Sequence, residues 1–353
     1  MLSSSLEYPI SFVSAGFEPL RVHLLRQNYS SIFVLVDNHT QQHCLPILEA
    51  ALQGFSLIII AIEAGEQHKN LQTCQYIWSA FMQGQADRKS VLLNLGGGVI
   101  GDMGGFCAST FKRGMDFIQL PTTLLAQVDA SVGGKLGIDF EQVKNGIGLF
   151  GSPQAVFMFT DFLGTLPLME IKSGFAEMLK HGLIDSLAHW QSLLLVSDWT
   201  SVQWQPLIEQ SLQVKKQIVL QDPFEKNIRK SLNFGHTIGH VLESLSWQTT
   251  QPLLHGHAIA IGLIIECYWS TKLLELPTAT LVAVRDYILS VYGKYDLIQL
   301  DLQAVGNLIL QDKKNENQII KATLLAKIGQ AKINIAIPST LIKEGLDYYI
   351  NLK

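Results

Sequence analysis

The feature that most constrains this chain is a series of near-continuous apolar runs of strand length in its first 161 residues: 31–37 (SIFVLVD), 56–62 (SLIIIAI), 90–95 (SVLLNL), 116–120 (DFIQL) and 155–159 (AVFMF). A strand wetted on one face alternates apolar and polar residues. One covered on both faces reads as an unbroken apolar run, which is the signature of a parallel sheet between helical layers. Segments with helical spacing, such as 70–84, separate the runs, so the first part of the chain is expected to be α/β. After residue 162 the texture changes. Segments with helical period follow one another at 168–188, 205–221, 233–245, 257–274 and 279–292, and only 318–325 and 332–337 offer strand-like chain, either as a late hairpin or as simply extended chain. The expected organisation is an α/β domain over 1–161 and a mainly α-helical domain over 162–353, closely packed with a cleft between them.

Composition narrows the function. With 48% hydrophobic and 16% charged residues, the chain can bury a large core. A net charge of −4 and pI near 6.2 argue against nucleic acid or an anionic membrane as the main partner. Any anion site must be local. Cys44, Cys74, Cys107 and Cys267 show no C-x-x-C spacing and read as reduced thiols of a cytosolic protein. The first residues, MLSSSLE, have no basic segment followed by an apolar core, and the runs at 57–62 and 258–265 are too short to span a bilayer. A cytoplasmic location is expected.

Two stretches carry chemistry. Gly96-Gly97-Gly98-Val99-Ile100-Gly101-Asp102 follows a strand-like run and satisfies G-x-G-x-x-G. Glycines there let backbone N–H groups approach a pyrophosphate at a helix N-terminus. The motif is weak alone, because it follows at least two other strands, and a tight turn without ligand also satisfies it. Asp37, Glu66, Lys69, Thr122 and Thr123 lie at or just past other strand ends, where open α/β sheets bind ligands, and together they point to a dinucleotide.

The second stretch is Asn233-Phe234-Gly235-His236-Thr237-Ile238-Gly239-His240, read with Glu177 and His255. Histidines four apart on a helix are separated by about 40° around its axis, so both rings can address one volume. A catalytic zinc takes three protein ligands and keeps an open position. Glu177, His236 and His255 fit that role and leave His240 for other work; ordinary packed helical histidines fit the spacing equally well. Lys180, three residues after Glu177, shares its helix face. Asp129 and Lys135 are expected in one small-residue loop, 127–135, and Lys144 and Asn145 in a second; with Lys215, Arg229, Asn233, Lys313 and Lys314 they complete a set of polar groups near glycine turns. So many cations in a chain with few charges suggest a small polyanionic substrate.

At this point GGGVIGDMGGFCAST, KRG, FIQLPTTLLAQVDASVGGKLGID, KN, TLP, GFAEMLKHGLI, NFGHTIGH, LLHGHAIAIG and DKK, in that order, resemble the 3-dehydroquinate synthases of the sugar phosphate cyclase superfamily. The resemblance implies a Rossmann-like NAD-binding domain followed by a helical metal domain. It implies that Glu177, His236 and His255 hold zinc or cobalt. Asp37, Glu66, Lys69, Gly98, Asp102, Thr122, Thr123, Phe162, Thr165 and Glu170 would line the NAD site, with Lys135 and Lys144 facing cofactor as well as substrate. Asp129, Lys180, Lys215, Arg229, Asn233 and His240 would act on substrate, and Lys313 or Lys314 would approach its phosphate. Arg113 would reach the phosphate in a neighbouring subunit, which implies a homodimer. The implied reaction converts 3-deoxy-D-arabino-heptulosonate 7-phosphate to 3-dehydroquinate and phosphate in the shikimate pathway. The alternatives are a related cyclase acting on another sugar phosphate, a metal-dependent alcohol or glycerol dehydrogenase, and a non-catalytic binding protein that keeps the fold. His257 stands where the family usually has a glutamate, and His39 where it often has an asparagine.

Overall fold

The computed structural model describes residues 8–141, 143–247, 249–297, 300, 305, 308, 309 and 320–352. It divides into two compact units, Met1–Pro167 and Leu168–Lys353.

The first unit runs β1 (Ile10–Phe12), α1 (Glu18–Gln27), β2 (Ile32–Asp37), α2 (Asn38–His43), α3 (Leu45–Ala51), β3 (Leu57–Ile62), α4 (Leu71–Gln83), β4 (Val91–Gly96), α5 (Gly98–Thr110), β5 (Asp116–Pro121), β6 (Lys135–Phe140), β7 (Val143–Phe150) and β8 (Ala155–Met158). β1, β8, β5, β4, β2 and β3, in that order, form a parallel six-stranded sheet. The continuous apolar runs are explained residue by residue. Val34, Val36, Leu93, Leu95, Ile118 and Leu120 face one core with Leu20, Leu24 and Leu48, while Phe33, Leu35, Leu92 and Phe117 face the other with Ile77, Phe81, Ile100 and Met103. Each such side chain removed from water contributes roughly 1.5–3 kcal/mol.

From β2 the chain steps outward to β3, then returns to the other side of β2 to lay down β4, β5 and β8. The topological switch therefore lies between β2 and β4, and open α/β sheets bind ligands at the carboxyl end of such a crevice. The glycine turn follows β4 and Asp37 ends β2, one on each side of it. This is why the motif need not follow the first strand.

The sequence reading treated the stretches around 127–135 and 144–145 as loops. The structure corrects it: Asp129 lies in a π-helical turn, Ala126–Ala130, while Lys135 opens β6 and Asn145 lies in β7. β6 and β7 form an antiparallel hairpin pairing Lys135 with Phe150 and Ile138 with Ile147. Its glycines hid the strand pattern, yet they make the pairing possible. A Cβ on Gly148 would stand 2.4 Å from the Leu136 carbonyl oxygen, and one on Gly137 2.9 Å from that of Ile147.

The second unit runs α6 (Leu168–Asp185), α7 (Leu187–Leu193), α8 (Trp204–Gln221), α9 (His236–Ser246), α10 (His255–Leu273), α11 (Thr278–Tyr292), β9 (Lys321–Lys327), β10 (Gln330–Ala336) and α12 (Ser339–Ile350). α10 is apolar around most of its circumference and buried accordingly, packed by α6, α9, α11 and α12. The late hairpin is β9 and β10, paired antiparallel. The segment expected to be one helix over 168–188 breaks at Ser186, whose hydroxyl caps α7 by accepting from the His189 N–H at 3.2 Å. α9 begins three residues later than the pattern suggested, because Asn233 closes a 3₁₀ turn and Gly235 adopts φ +83°, which favours glycine. No helix of the described residues is long and apolar enough to cross a membrane.

Candidate metal centre and nucleotide edge

Three helices of the second unit bring their ends or faces to one point. Glu177 comes from the middle of α6 and is fully buried; His236 is the first residue of α9, and His255 the first of α10. Glu177 Oε1 lies 3.4 Å from His236 Nε2 and 3.4 Å from His255 Nε2. That oxygen is buried and has no hydrogen-bond partner among the described residues. Two ligands about 2.0–2.2 Å from a tetrahedral zinc stand roughly 3.4 Å apart. A buried carboxylate oxygen without a donor, flanked by two imidazole nitrogens at that separation, is the donor set a divalent cation requires. The fit is good.

The rest of each candidate ligand is held as a metal ligand should be. His255 Nδ1 donates to Glu243 Oε2 at 3.2 Å, and His236 Nδ1 to the Phe234 carbonyl at 3.1 Å, so both rings present Nε2. The second oxygen of Glu177 pairs with the Lys180 ammonium, itself only 1% exposed. Burial pushes the Glu177 carboxyl up, but Lys180, His236 and His255 outweigh it and hold it well below the usual range. Burial pushes His255 down, yet Glu177 and Glu243 outweigh it and raise it to about 10. This is a pocket built for positive charge.

His240 stands closer to this point than its role apart from the ligands suggested. Its ring centre is 5.0 Å from that of His236 and 5.6 Å from that of His255, and one nitrogen from each of the three rings falls within a 4.8 Å group. Unlike Glu177, His240 is part-exposed, so it can meet a ligand entering from solvent. His257 does not join. It is buried edge-on against the Tyr292 ring at 5.1 Å, and burial, with Lys172 nearby, lowers it to about 4.

Lys215 on α8 and Arg229 just after it are both buried. The Asp222 carboxylate organises the connection, accepting from the backbone N–H groups of Lys226 at 2.9 Å, Asn227 at 2.6 Å and Arg229 at 3.0 Å. The Arg229 guanidinium donates to the Pro223 carbonyl, and the Asn233 amide to Glu225 Oε1 at 2.5 Å. The result is a fixed cationic turn.

In the first unit, Lys69 is the hub. Its ammonium is buried and donates to Asp102 Oδ2 at 2.7 Å and Asn145 Oδ1 at 2.8 Å, with Glu66 Oε1 at 4.0 Å. Burial pushes Lys69 down, but Asp102 and Glu66 outweigh it and hold it above its ordinary value. Lys144 lies 4.0 Å from the same Glu66 oxygen. The network thus ties α5, the chain after β3 and the β6–β7 hairpin to one edge. Beside it Gly96, Gly97, Gly98, Ala126, Ala130 and Ser131 line a small concavity. A Cβ on Gly97 would approach Thr123 Cγ2 to 3.0 Å, so that cradle is kept open by glycine. Thr122 is buried and its N–H bonds the Gly96 carbonyl at 3.0 Å. Asp37 Oδ1 caps α2, accepting from the Thr40 N–H at 2.8 Å.

Several sequence-named residues stand elsewhere. The Phe162 ring packs in the core, 5.0 Å from Phe159 and 6.0 Å from Phe17, so only its backbone can meet a ligand. Thr165 bonds the Phe162 carbonyl at 3.3 Å, and Glu170 lies in the first turn of α6. Lys135 is exposed at the start of β6. Arg113 is exposed too, with φ +67°, just before β5 and so at the sheet edge opposite the glycine turn. His39 is exposed on α2. Lys313 and Lys314 lie outside the described residues. Sequence reasoning missed Glu243, Asp222, Glu225 and Glu266. Of these, Glu243 was findable: it lies seven residues after His236 and three after His240, on the same helix face.

Known proteins resemble this chain along most of its length. Residues 59–173 match the family described as 3-dehydroquinate synthase N-terminal, and 174–315 the one described as 3-dehydroquinate synthase C-terminal. A 3-dehydroquinate synthase of Parabacteroides distasonis is 44% identical over 91% of this chain and 92% of its own, and one of Ruminiclostridium cellulolyticum is 36% identical over 92% and 91%. Among solved structures, 2-deoxy-scyllo-inosose synthase complexed with carbaglucose-6-phosphate, NAD+ and Co2+ superimposes with TM-score 0.84 at 22% identity, covering 96% of each chain. The 2-epi-5-epi-valiolone synthase of Streptomyces hygroscopicus, with NAD+ and Zn2+ bound, gives 0.81 at 21% identity, covering 98% of this chain and 97% of that one. At these identities the structures speak for the fold alone.

Proposed function

The chain belongs to the 3-dehydroquinate synthase family, and we infer that it converts 3-deoxy-D-arabino-heptulosonate 7-phosphate to 3-dehydroquinate and phosphate with NAD and a divalent metal. The observation that carries this reading is the buried, donorless Oε1 of Glu177, 3.4 Å from the Nε2 atoms of both His236 and His255. Glu177, His236 and His255 would hold the metal, which would lower the pKa of the substrate C5 hydroxyl, and NAD would supply reversible hydride acceptance at C5 with no net NADH.

The chain's own residues do the rest. Lys180 keeps Glu177 ionised, and the glycine turn with Lys69, Asp102 and Glu66 forms the nucleotide edge. Lys215, Arg229 and Asn233 hold the substrate carboxylate, a role supported by the two buried cations around a turn fixed by Asp222. Lys135, Lys144 and Asn145 hold the phosphate end. His240 and Asp129 move protons at the hydroxyls and the leaving phosphate; the part-exposed ring of His240 beside the two metal histidines supports that role. Elimination is favoured because a ketone at C5 acidifies the neighbouring C–H, whose proton leaves as the C–O bond to phosphate breaks. Reduction, ring opening and intramolecular aldol closure then give the carbocycle.

We infer a homodimer as well: Arg113 is exposed at the sheet edge opposite its own glycine turn, a placement that suits a phosphate bound in a second copy. The four free cysteines suit a reducing, cytoplasmic setting. The test is to incubate the protein with the seven-carbon sugar phosphate and substoichiometric NAD, with and without chelator. Phosphate and dehydroquinate in equal amounts, without NADH and only with metal, are expected. Accumulating NADH would indicate a dehydrogenase, and turnover by His236→Ala at the wild-type rate would remove the metal site.

A further inference from the structure

α9 carries a metal ligand at its first position but has no cap of its own. Its N-cap is Gly235, and no side chain within the motif accepts from its first N–H groups. The acceptor comes from α10. Glu266, fully buried, takes the Gly235 N–H on Oε2 at 2.7 Å, and the Thr237 and Ile238 N–H groups on Oε1 at 2.9 and 3.2 Å. A carboxylate there also answers the positive end of the helix dipole.

The residues on both sides of His236 are therefore bonded to one side chain, and that side chain belongs to the helix that begins with His255. The two helices approach closely because glycine lines their contact. A Cβ on Gly262, one turn before Glu266, would fall 1.9 Å from the Gly235 carbonyl oxygen, and one on Gly239 2.7 Å from Ile259 Cδ1. Along α10, residues 255, 259, 262 and 266 recur at helical spacing, so His255 and Glu266 share the face turned toward α9. Glu243 acts in the other direction, from α9 onto the His255 ring at 3.2 Å.

We propose that Glu266 is a positioning residue for the metal site: it locks the start of α9 to α10 and so sets the separation of the His236 and His255 nitrogens, without itself being a ligand. The proposal rests on the metal-binding reading above. Glutamine at 266 offers one acceptor oxygen and an N–H₂ group that faces donors, so at least one of the three N–H groups loses its partner and His236 is no longer held from both sides.

The test measures Zn2+ affinity by chelator competition and the visible spectrum of the Co2+-loaded full chain, at a temperature where every variant is folded by circular dichroism. Glu266→Gln is expected to weaken Zn2+ by about 10–100-fold, the range for partners that hold a metal ligand, and to shift the Co2+ bands. Glu266→Asp, which keeps both acceptors, is expected to lose less and serves in its place if Glu266→Gln does not fold. Trp269→Phe is the stability control, because it removes the 2.8 Å bond to the Leu341 carbonyl from the same helix and should leave metal affinity unchanged. A wild-type chain that binds neither ion would sink the metal reading itself. A wild type that binds while Glu266→Gln, or Glu266→Asp in its stead, matches it within twofold would overturn the positioning role. Equal weakening by Trp269→Phe would do so as well.

Discussion

Lys180→Met tests whether the centre of the second unit is organised around a charge balance. The ammonium of Lys180 and the carboxylate of Glu177 are 1% and 0% exposed, so neither is compensated by water when the other is removed. Deleting one partner of a buried ion pair costs about 3–5 kcal/mol, because the other charge stays buried. For a unit of this size each kcal/mol moves the unfolding midpoint by about 2–4 °C. The chelated variant should therefore melt roughly 6–20 °C below the chelated wild type. A bound divalent cation at Glu177 supplies positive charge where lysine did, so metal should stabilise the variant more than it stabilises the wild type. At a hundredfold excess over Kd the binding contribution itself is about 2.7 kcal/mol. Differential scanning calorimetry with chelator and with Zn2+ reads both quantities. Lys180→Met/Glu177→Gln, which removes both charges, should recover part of the loss in chelator. A single variant melting within about 2 °C of wild type in chelator would show that the pair is not the balance described here.

Gly104→Ala should destabilise the first unit by about 1–3 kcal/mol, since its Cβ would stand 2.0 Å from Asn94 Oδ1 and 2.8 Å from Leu35 Cδ2, both in the core; wild-type urea stability would refute the contact. Lys69→Met leaves Asp102 and Asn145 without their shared donor, so NAD affinity measured by calorimetry should fall at least tenfold, about 1.4 kcal/mol, and an unchanged Kd would place the nucleotide elsewhere. His189 is held below its ordinary 6.5 by burial, against the upward pull of Asp185. Its native form refuses a proton that the unfolded chain accepts, so stability is lost as pH falls through about 6.5. His189→Gln should flatten the decline in urea midpoint between about pH 7.5 and 5.5, and an unaltered slope would remove His189 from that dependence.

The sheet was legible because each of its main strands buries both faces, and a run such as SVLLNL has no other use. The β6–β7 hairpin was not, because its pairing depends on glycines at 137 and 148 and its outer strand is mostly exposed. No period survives such a composition. At the candidate metal centre Glu177, His236 and His255 could be proposed from the sequence, although packed helical histidines fitted the spacing equally well, but the supports around them could not. Asp222 acts through backbone N–H groups four to seven residues on, and such bonds leave no mark in side-chain pattern. Glu266 left one faint sign: it is a carboxylate closing the apolar run at 258–265, and a charge in a buried helix must be satisfied by something.

That rule extends across the chain. Among the described residues the buried Lys, Arg, Asp and Glu side chains are Lys69, Glu177, Lys180, Lys215, Asp222, Arg229, Glu243 and Glu266. Burying a charge costs several kcal/mol unless donors or opposite charges surround it, and a protein seeking only stability does better with apolar residues. Here the surface carries the great majority of the charges, and those taken inside belong to the Lys69 network, the Glu177 point or the turn leading to Arg229. Asp222 and Glu266 each satisfy backbone N–H groups of a segment that carries a proposed site residue, Arg229 in the first case and His236 in the second. The cost of buried charge is thus concentrated where side chains must be held at fixed separations, which is where a reaction on a doubly anionic sugar needs it.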